Sequence, residues 1–124
     1  MSLDERRRSA HRWGLRAETL AALALMVKGY RVIERRFAVR QGEIDLIALR
    51  GDTLAFVEVK ARPDLASALD AVTPQKVRRI SAAARVWLAR NPWGVALAAR
   101  GDVVWIAPRR LPRHLADAYT LQLF

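Results

Sequence analysis

Two strand-like runs, residues 43–50 (EIDLIALR) and 53–62 (TLAFVEVKAR), are separated only by Gly51 and Asp52. A two-residue connection between such runs predicts an antiparallel hairpin, and Gly at its first position suits a type II′ turn. That turn sets the register. Asp45 falls opposite Glu58, Glu43 opposite Lys60, and Ile44, Leu46 and Ala48 opposite Val59, Val57 and Ala55. Side chains alternate faces along a strand, so one face of the hairpin carries Glu43, Asp45, Glu58 and Lys60 and the other is aliphatic.

Two carboxylates opposed across paired strands destabilise the pair, and each resists the other's ionisation. A purely structural sheet has no use for that. A divalent cation resolves it, because hard Mg²⁺ takes oxygen ligands, and Lys60 on the same face offsets part of the charge without metal. A solvated cross-strand ion pair accounts well for Glu43 with Lys60. It accounts poorly for Asp45 with Glu58, whose repulsion is uncompensated.

The rest of the chain reads as one α/β unit. Residues 10–28 predict a helix ending at Gly29, apolar nearly all round and therefore deeply packed, with Leu20, Leu23, Ala24 and Val27 on one face. Residues 30–39 predict a strand, and residues 63–72 a loop opening at Pro63 with a short helical turn. Thr73 followed by Pro74 is a helix start, and Val77, Ile80, Ala84, Trp87 and Leu88 form its stripe until Asn91-Pro92. Residues 103–107 predict a short strand, 109–118 an irregular basic connection, and 120–124 a final edge strand. Residues 1–8, with Arg6, Arg7 and Arg8, read as a basic flexible tail, which leaves residues 9–124 as a single domain. The order α-β-β-β-α-β-(β) predicts a central mixed sheet flanked by helices.

Charge narrows the partner. The chain has 22 basic and 12 acidic residues, a net charge of +10, and no cysteine, which removes disulfides and thiolate chemistry. Between residues 74 and 113 nine basic residues meet one acid, Asp102. Such density predicts a polyanion, with Lys76, Arg78 and Arg79 on the helix as phosphate contacts; an Arg-rich but merely solvated face is the plainer alternative. Lysine occurs only at Lys28, Lys60 and Lys76, against 19 arginines, so a retained lysine marks a place where the smaller, titratable cation has a use. Of four tryptophans, Trp93, in a loop, is the best candidate for stacking on a base; Trp13, Trp87 and Trp105 read as core. His11 and His114 have no ligand spacing. Acidic residues interrupt the basic start, and no apolar run approaches the ~20 residues of a membrane span, so a cytoplasmic protein is expected.

The segments Gly42-Glu43-Ile44-Asp45-Leu46-Ile47-Ala48 and Phe56-Val57-Glu58-Val59-Lys60-Ala61-Arg62 resemble the YraN-like bacterial family, placed in the PD-(D/E)xK nuclease superfamily near the Holliday-junction resolvases. Gly14, Ala17-Glu18, Gly29-Tyr30 and Lys76, Arg79 and Ile80 extend the resemblance over nearly the whole chain after residue 12. Two departures stand out: Ile44 precedes Asp45 where the superfamily has proline, and Arg100-Gly101-Asp102 lacks the family's intervening aromatic.

The resemblance implies a restriction-endonuclease-like fold and a Mg²⁺ (or Mn²⁺) site. Asp45 and Glu58 would be the metal carboxylates, Glu18 an additional helical carboxylate and Lys60 the active-site lysine. Nucleic-acid contacts would come from Lys76, Arg79, Arg78 and Arg62. For Glu18 alone, a carboxylate in the first turns of a helix is otherwise explained by the helix dipole. The implied activity is metal-dependent endonucleolytic hydrolysis of phosphodiesters, with branched or damaged DNA as substrate and a homodimer as the resolvase-like assembly. A non-catalytic nucleic-acid-binding module, or an RNA- or ribosome-associated accessory protein with the same fold, are the alternatives.

Overall fold

The computed structural model describes residues 2–124. Its elements are α1 (Leu3–Val27), β1 (Arg31–Val39), β2 (Gly42–Arg50), β3 (Thr53–Ala61), α2 (Leu65–Asp70), α3 (Pro74–Arg90), a 3₁₀ turn (Pro92–Ala96), β4 (Ala98–Ile106) and β5 (Arg113–Tyr119). The five strands form one sheet in sequence order, antiparallel except for the parallel β3–β4 pair. Helices flank this mixed sheet, an arrangement consistent with a restriction-endonuclease-like fold. Among the described residues no helix is long and apolar enough to cross a membrane.

The hairpin forms in the expected register, from Arg50 opposite Thr53 to Leu46 opposite Val57. Gly51 takes φ +60°, the left-handed value a II′ turn needs at that position. Leu46, Ala48, Ala55 and Val57 pack under α1, while Ile47, Leu54 and Phe56 pack under α3. The face expected to be carboxylate-bearing is thus apolar for most of its length and is covered by α3; Glu58 and Lys60 occupy its far end. Ile44, expected with the α1-side aliphatics, packs instead with the α3-side core, because β2 changes course at Asp45.

Helix α1 departs from expectation at both ends. It begins at Leu3, so residues 3–8 are helical rather than a loose tail; Met1 lies outside the described residues. The cause is a capping box: the Ser2 side chain accepts from the Glu5 N–H, and the Glu5 carboxylate accepts from the Ser2 N–H. Its buried face is also not the one the largest residues suggest. Ala17, Ala21, Ala22 and Leu25 face the sheet, whereas Leu23 and Val27 are 51% and 88% exposed. Alanines on the helix meet Ala48 and Ala55 on the sheet, and small side chains on both sides let the helix axis approach closely. Bulkier Leu20 and Leu23 would hold it away.

Strand β4 is longer than expected, and β5 occupies residues 113–119 where an irregular connection was expected; residues 120–124 have no regular structure. Asp102 explains why so polar a segment forms a strand. Its carboxylate is fully buried and accepts two hydrogen bonds from Arg100 (both 2.8 Å), one from the Asp117 N–H (3.0 Å), and lies 2.7 Å from His114 Nε2. Burial alone would raise its pKa, but these donors outweigh it and lower the pKa to about 2. The buried charge pins β5 to β4 through polar contacts that hydropathy patterns do not register.

At the opposite edge, α3 crosses β2 so closely that a Cβ on Gly42 would lie 2.0 Å from the Arg79 carbonyl oxygen. Gly42→Ala therefore forces α3 off the sheet. Urea unfolding is expected to show a loss of about 1–3 kcal/mol or more, whereas Gly14→Ala, with open space around residue 14, should leave stability unchanged or slightly raised.

Candidate metal and nucleic-acid site

The β2–β3 ladder ends one residue short of the carboxylates. Beyond the Leu46–Val57 pair the strands part, and the Asp45 side chain takes the place of a main-chain partner by accepting from the Val59 N–H at 2.8 Å. In an extended strand the N–H and C=O of one residue point to the same edge, so the Val59 carbonyl faces this opening as well. On its other side Asp45 meets Arg36, which lies between the Arg35–Leu46 and Phe37–Ile44 pairs and has φ +54°. A non-glycine residue in the left-handed region within a strand is strained backbone. It directs the Arg36 guanidinium to Glu18.

Glu58 points toward α3 and is 1% exposed. Two of the chain's three lysines converge on its Oε2: Lys76 Nζ at 3.2 Å and Lys60 Nζ at 3.8 Å. Lys76 stands in the first turn of α3, capped by Thr73, whose hydroxyl accepts from the Lys76 N–H. Neither ammonium completes a hydrogen bond to the Glu58 carboxylate. Oε2 is the one buried side-chain oxygen or nitrogen among the described residues without a hydrogen-bond partner. Burial, and then the adjoining Asp45 carboxyl group, raise the Glu58 pKa to about 8, against the opposing pull of Lys76 and Lys60.

The structure thus brings Asp45, Glu58, Lys60 and Lys76 together. Glu18 lines the same cavity of about 420 Å³ as Asp45, Glu43, Arg36 and Arg62, but both its oxygens are engaged, Oε1 by Arg35 Nε and Oε2 by Arg36 Nε at 3.1 Å each. Among the described residues no three His, Cys, Asp or Glu side chains form a group that could hold a metal ion; Asp45 and Glu58 are a pair, of which Asp45 lines the cavity and Glu58 is buried behind it. Arg78, Arg79 and Arg62 are exposed. Lys76, expected as an outward phosphate contact, is turned in toward Glu58; its proximity to Lys60 required the α3 crossing at Gly42, which no local pattern encodes. The one sequence signal was its being lysine in an arginine-rich chain.

A divalent cation fits these residues. The Glu58 Oε2 that lacks a hydrogen bond, the neighbouring Asp45 carboxylate and the Val59 carbonyl are hard oxygen donors close together where the strands part, and a cation there would offset both the burial and the Asp45 carboxyl that hold the Glu58 pKa up.

A model of the uncharacterised protein family UPF0102 matches residues 17–106. The chain belongs to that family. It is the YraN-like family that the GEID and FVEVK segments resemble. A UPF0102 protein of Methylobacterium nodulans is 54% identical over 117 residues, covering 94% of this chain and 91% of the relative. One from Methylorubrum extorquens is 55% identical over 117 residues with the same coverage, and one from Brucella canis is 51% identical over 118 residues, covering 95% and 94%. The stretch matched by the UPF0102 model contains Glu18, Asp45, Glu58, Lys60 and Lys76 and stops at the end of β4.

The raised Glu58 pKa has a definite sign. Above pH 4.5 the unfolded chain releases this proton while the folded chain retains it, so the contribution to stability is complete below about pH 4.5 and is lost as pH rises through about 8. Metal-free wild type is expected to melt at progressively lower temperature across that window. Glu58→Gln, which cannot ionise, should flatten the slope; an identical slope in the variant would place the titration elsewhere.

Proposed function

We propose that this protein is a divalent-metal-dependent phosphodiesterase acting on nucleic acid, with branched or damaged DNA as its substrate class, and that its family belongs with the PD-(D/E)xK nucleases. The observation that carries the reading is the buried, unpartnered Oε2 of Glu58 beside Asp45, with two lysines converging on it. A structural carboxylate in this same protein, Asp102, is saturated with donors; Glu58 is held short of that.

Asp45, Glu58 and the Val59 carbonyl would hold Mg²⁺ or Mn²⁺, which when bound supplies Lewis acidity to a phosphoryl oxygen and lowers the pKa of water. The residues divide the remaining work. Lys76 favours the carboxylate form of Glu58. Lys60, on the strand beside Glu58 and only 13% exposed, offers a compact ammonium that orients the attacking water or offsets charge developing on the phosphoryl oxygens. Arg62, and Arg36 where its guanidinium extends past Glu18, set positive charge at the rim of the cavity, which attracts the phosphate backbone. The net charge of +10 supports the same partner.

A second reading has its own observation. Lys60 and Lys76 already offset part of the Glu58 charge, and Arg35 and Arg36 engage Glu18, so the protein supplies its own cations to these carboxylates without metal and could bind nucleic acid without cutting it.

Cleavage of single-stranded, duplex, flap and four-way DNA with Mg²⁺ or Mn²⁺ separates the two. Cutting that EDTA abolishes supports the phosphodiesterase; binding without cutting on any substrate supports the module. In an active preparation Lys60→Arg is expected to keep the melting temperature and nucleic-acid affinity while losing about 10²–10⁴-fold in rate, because a planar, permanently charged guanidinium does not replace a compact ammonium. A near-normal rate would remove Lys60 from the chemistry.

A further inference from the structure

Trp13 is on the inward face of α1 but has nothing beneath it. The series Trp13, Ala17, Ala21, Leu25 advances four residues at a time and so shares one side of the helix. Ala17, Ala21 and Leu25 are 3%, 0% and 0% exposed against the sheet, whereas Trp13 is 43% exposed. Trp13 lines the cavity that Asp45 and Glu18 also line. On its other flank Trp13 shares an open depression with Ser9, Arg12 and Arg16. Neither Arg12 nor Arg16 has an acidic partner among the described residues. The neighbouring Gly14 leaves the helix backbone bare, with no atom within 4 Å of where a Cβ would stand.

An uncovered aromatic between unpaired cations and a carboxylate cavity is the arrangement single-stranded nucleic acid asks for: cations track the backbone, and the ring face takes a base. Trp13 and Asp45 line one cavity, so a base on the indole and its neighbouring phosphate near Asp45 belong to a single site. Trp93, the expected stacking residue, is less suited, since it lies on the far end of α3 with its ring set edge-on against Trp87 at 5.6 Å.

We infer that Trp13 is a base-stacking platform which, with Arg12 and Arg16, selects an unpaired nucleotide next to the phosphate presented to Asp45 in the cavity that Trp13 and Asp45 share. This rests on the nucleic-acid reading above and adds to it a requirement for single-stranded character at the cut.

The test is direct binding in EDTA, so that no cleavage intervenes. A fluorescein-labelled eight-nucleotide oligo(dT) and an abasic oligomer of the same length and charge are titrated with wild type, Trp13→Ala and Trp13→Phe. Wild type should prefer the base-bearing strand. Trp13→Ala should weaken it about tenfold, within the range of one lost stacking contact, and leave the abasic strand unchanged; Trp13→Phe should recover much of the loss. If Trp13→Ala binds both strands like wild type, or loses both equally, the platform is overturned while the nucleic-acid reading stands. If Trp13→Ala instead converts a dimer into a monomer, the surface is an interface between copies and the platform is likewise overturned. Wild type that binds neither strand overturns the nucleic-acid reading itself, and the platform with it.

Discussion

A carboxylate buried beside a second carboxylate is unfavourable unless something offsets it, and the arrangement around Glu58 reads as the response to that constraint. The β2–β3 ladder opens so that Asp45 can satisfy the Val59 N–H rather than face Glu58 squarely. Helix α3 must bring the Lys76 ammonium to within 3.2 Å of the carboxylate, and the helix sits that close to the sheet only because Gly42 has no side chain. Lys60 approaches from the same strand. Removing any of these leaves a buried negative charge less compensated, yet together they still leave one oxygen without a hydrogen bond.

Asp102 shows that the same fold can saturate a buried carboxylate when stability is all that is required. Arg100 clasps it in a forked pair and also donates to the Tyr30 hydroxyl at 2.6 Å. His114 sits between Asp102 and Lys28, whose Nζ is 2.6 Å from Nδ1. With a lysine ammonium on Nδ1, that nitrogen is the acceptor and Nε2 carries the proton toward Asp102. The pKa directions express the difference: down to about 2 for Asp102, up to about 8 for Glu58. One site is closed by the protein's own donors. The other holds an acceptor in reserve.

Much of this was legible in the sequence where the encoding is local. Gly51-Asp52 set the hairpin register as far as the Leu46–Val57 pair and Thr73-Pro74 placed the start of α3, but the cross-strand pairing of Asp45 with Glu58 that the turn implied does not form, because the strands part beyond Val57 and Asp45 turns to the Val59 N–H. What was not legible depends on elements meeting across the sheet. The buried face of α1 follows from alanine matching alanine between layers, so the larger Leu20, Leu23 and Val27 misdirected the reading. Strand β5 is held by the polar grip of Asp102, invisible to hydropathy. Glu18 lies at the shared cavity but is engaged by Arg35 and Arg36, a consequence of strained backbone at Arg36. Lys76 was read as a phosphate contact on the basic helix and as a retained lysine among arginines, and its inward turn emerges from the close crossing of α3 and β2.

The central claim is that the Asp45–Glu58 opening is a divalent-cation site. Manganese binding reports on it without substrate or turnover: Mn²⁺ is titrated into the protein and the free ion is followed by its electron paramagnetic resonance signal. Wild type is expected to deplete free Mn²⁺ saturably, in competition with Mg²⁺, and binding should be strongly weakened in Asp45→Asn and Glu58→Gln, both of which keep the fold. No saturable binding by wild type, or binding that survives both substitutions, would contradict the claim.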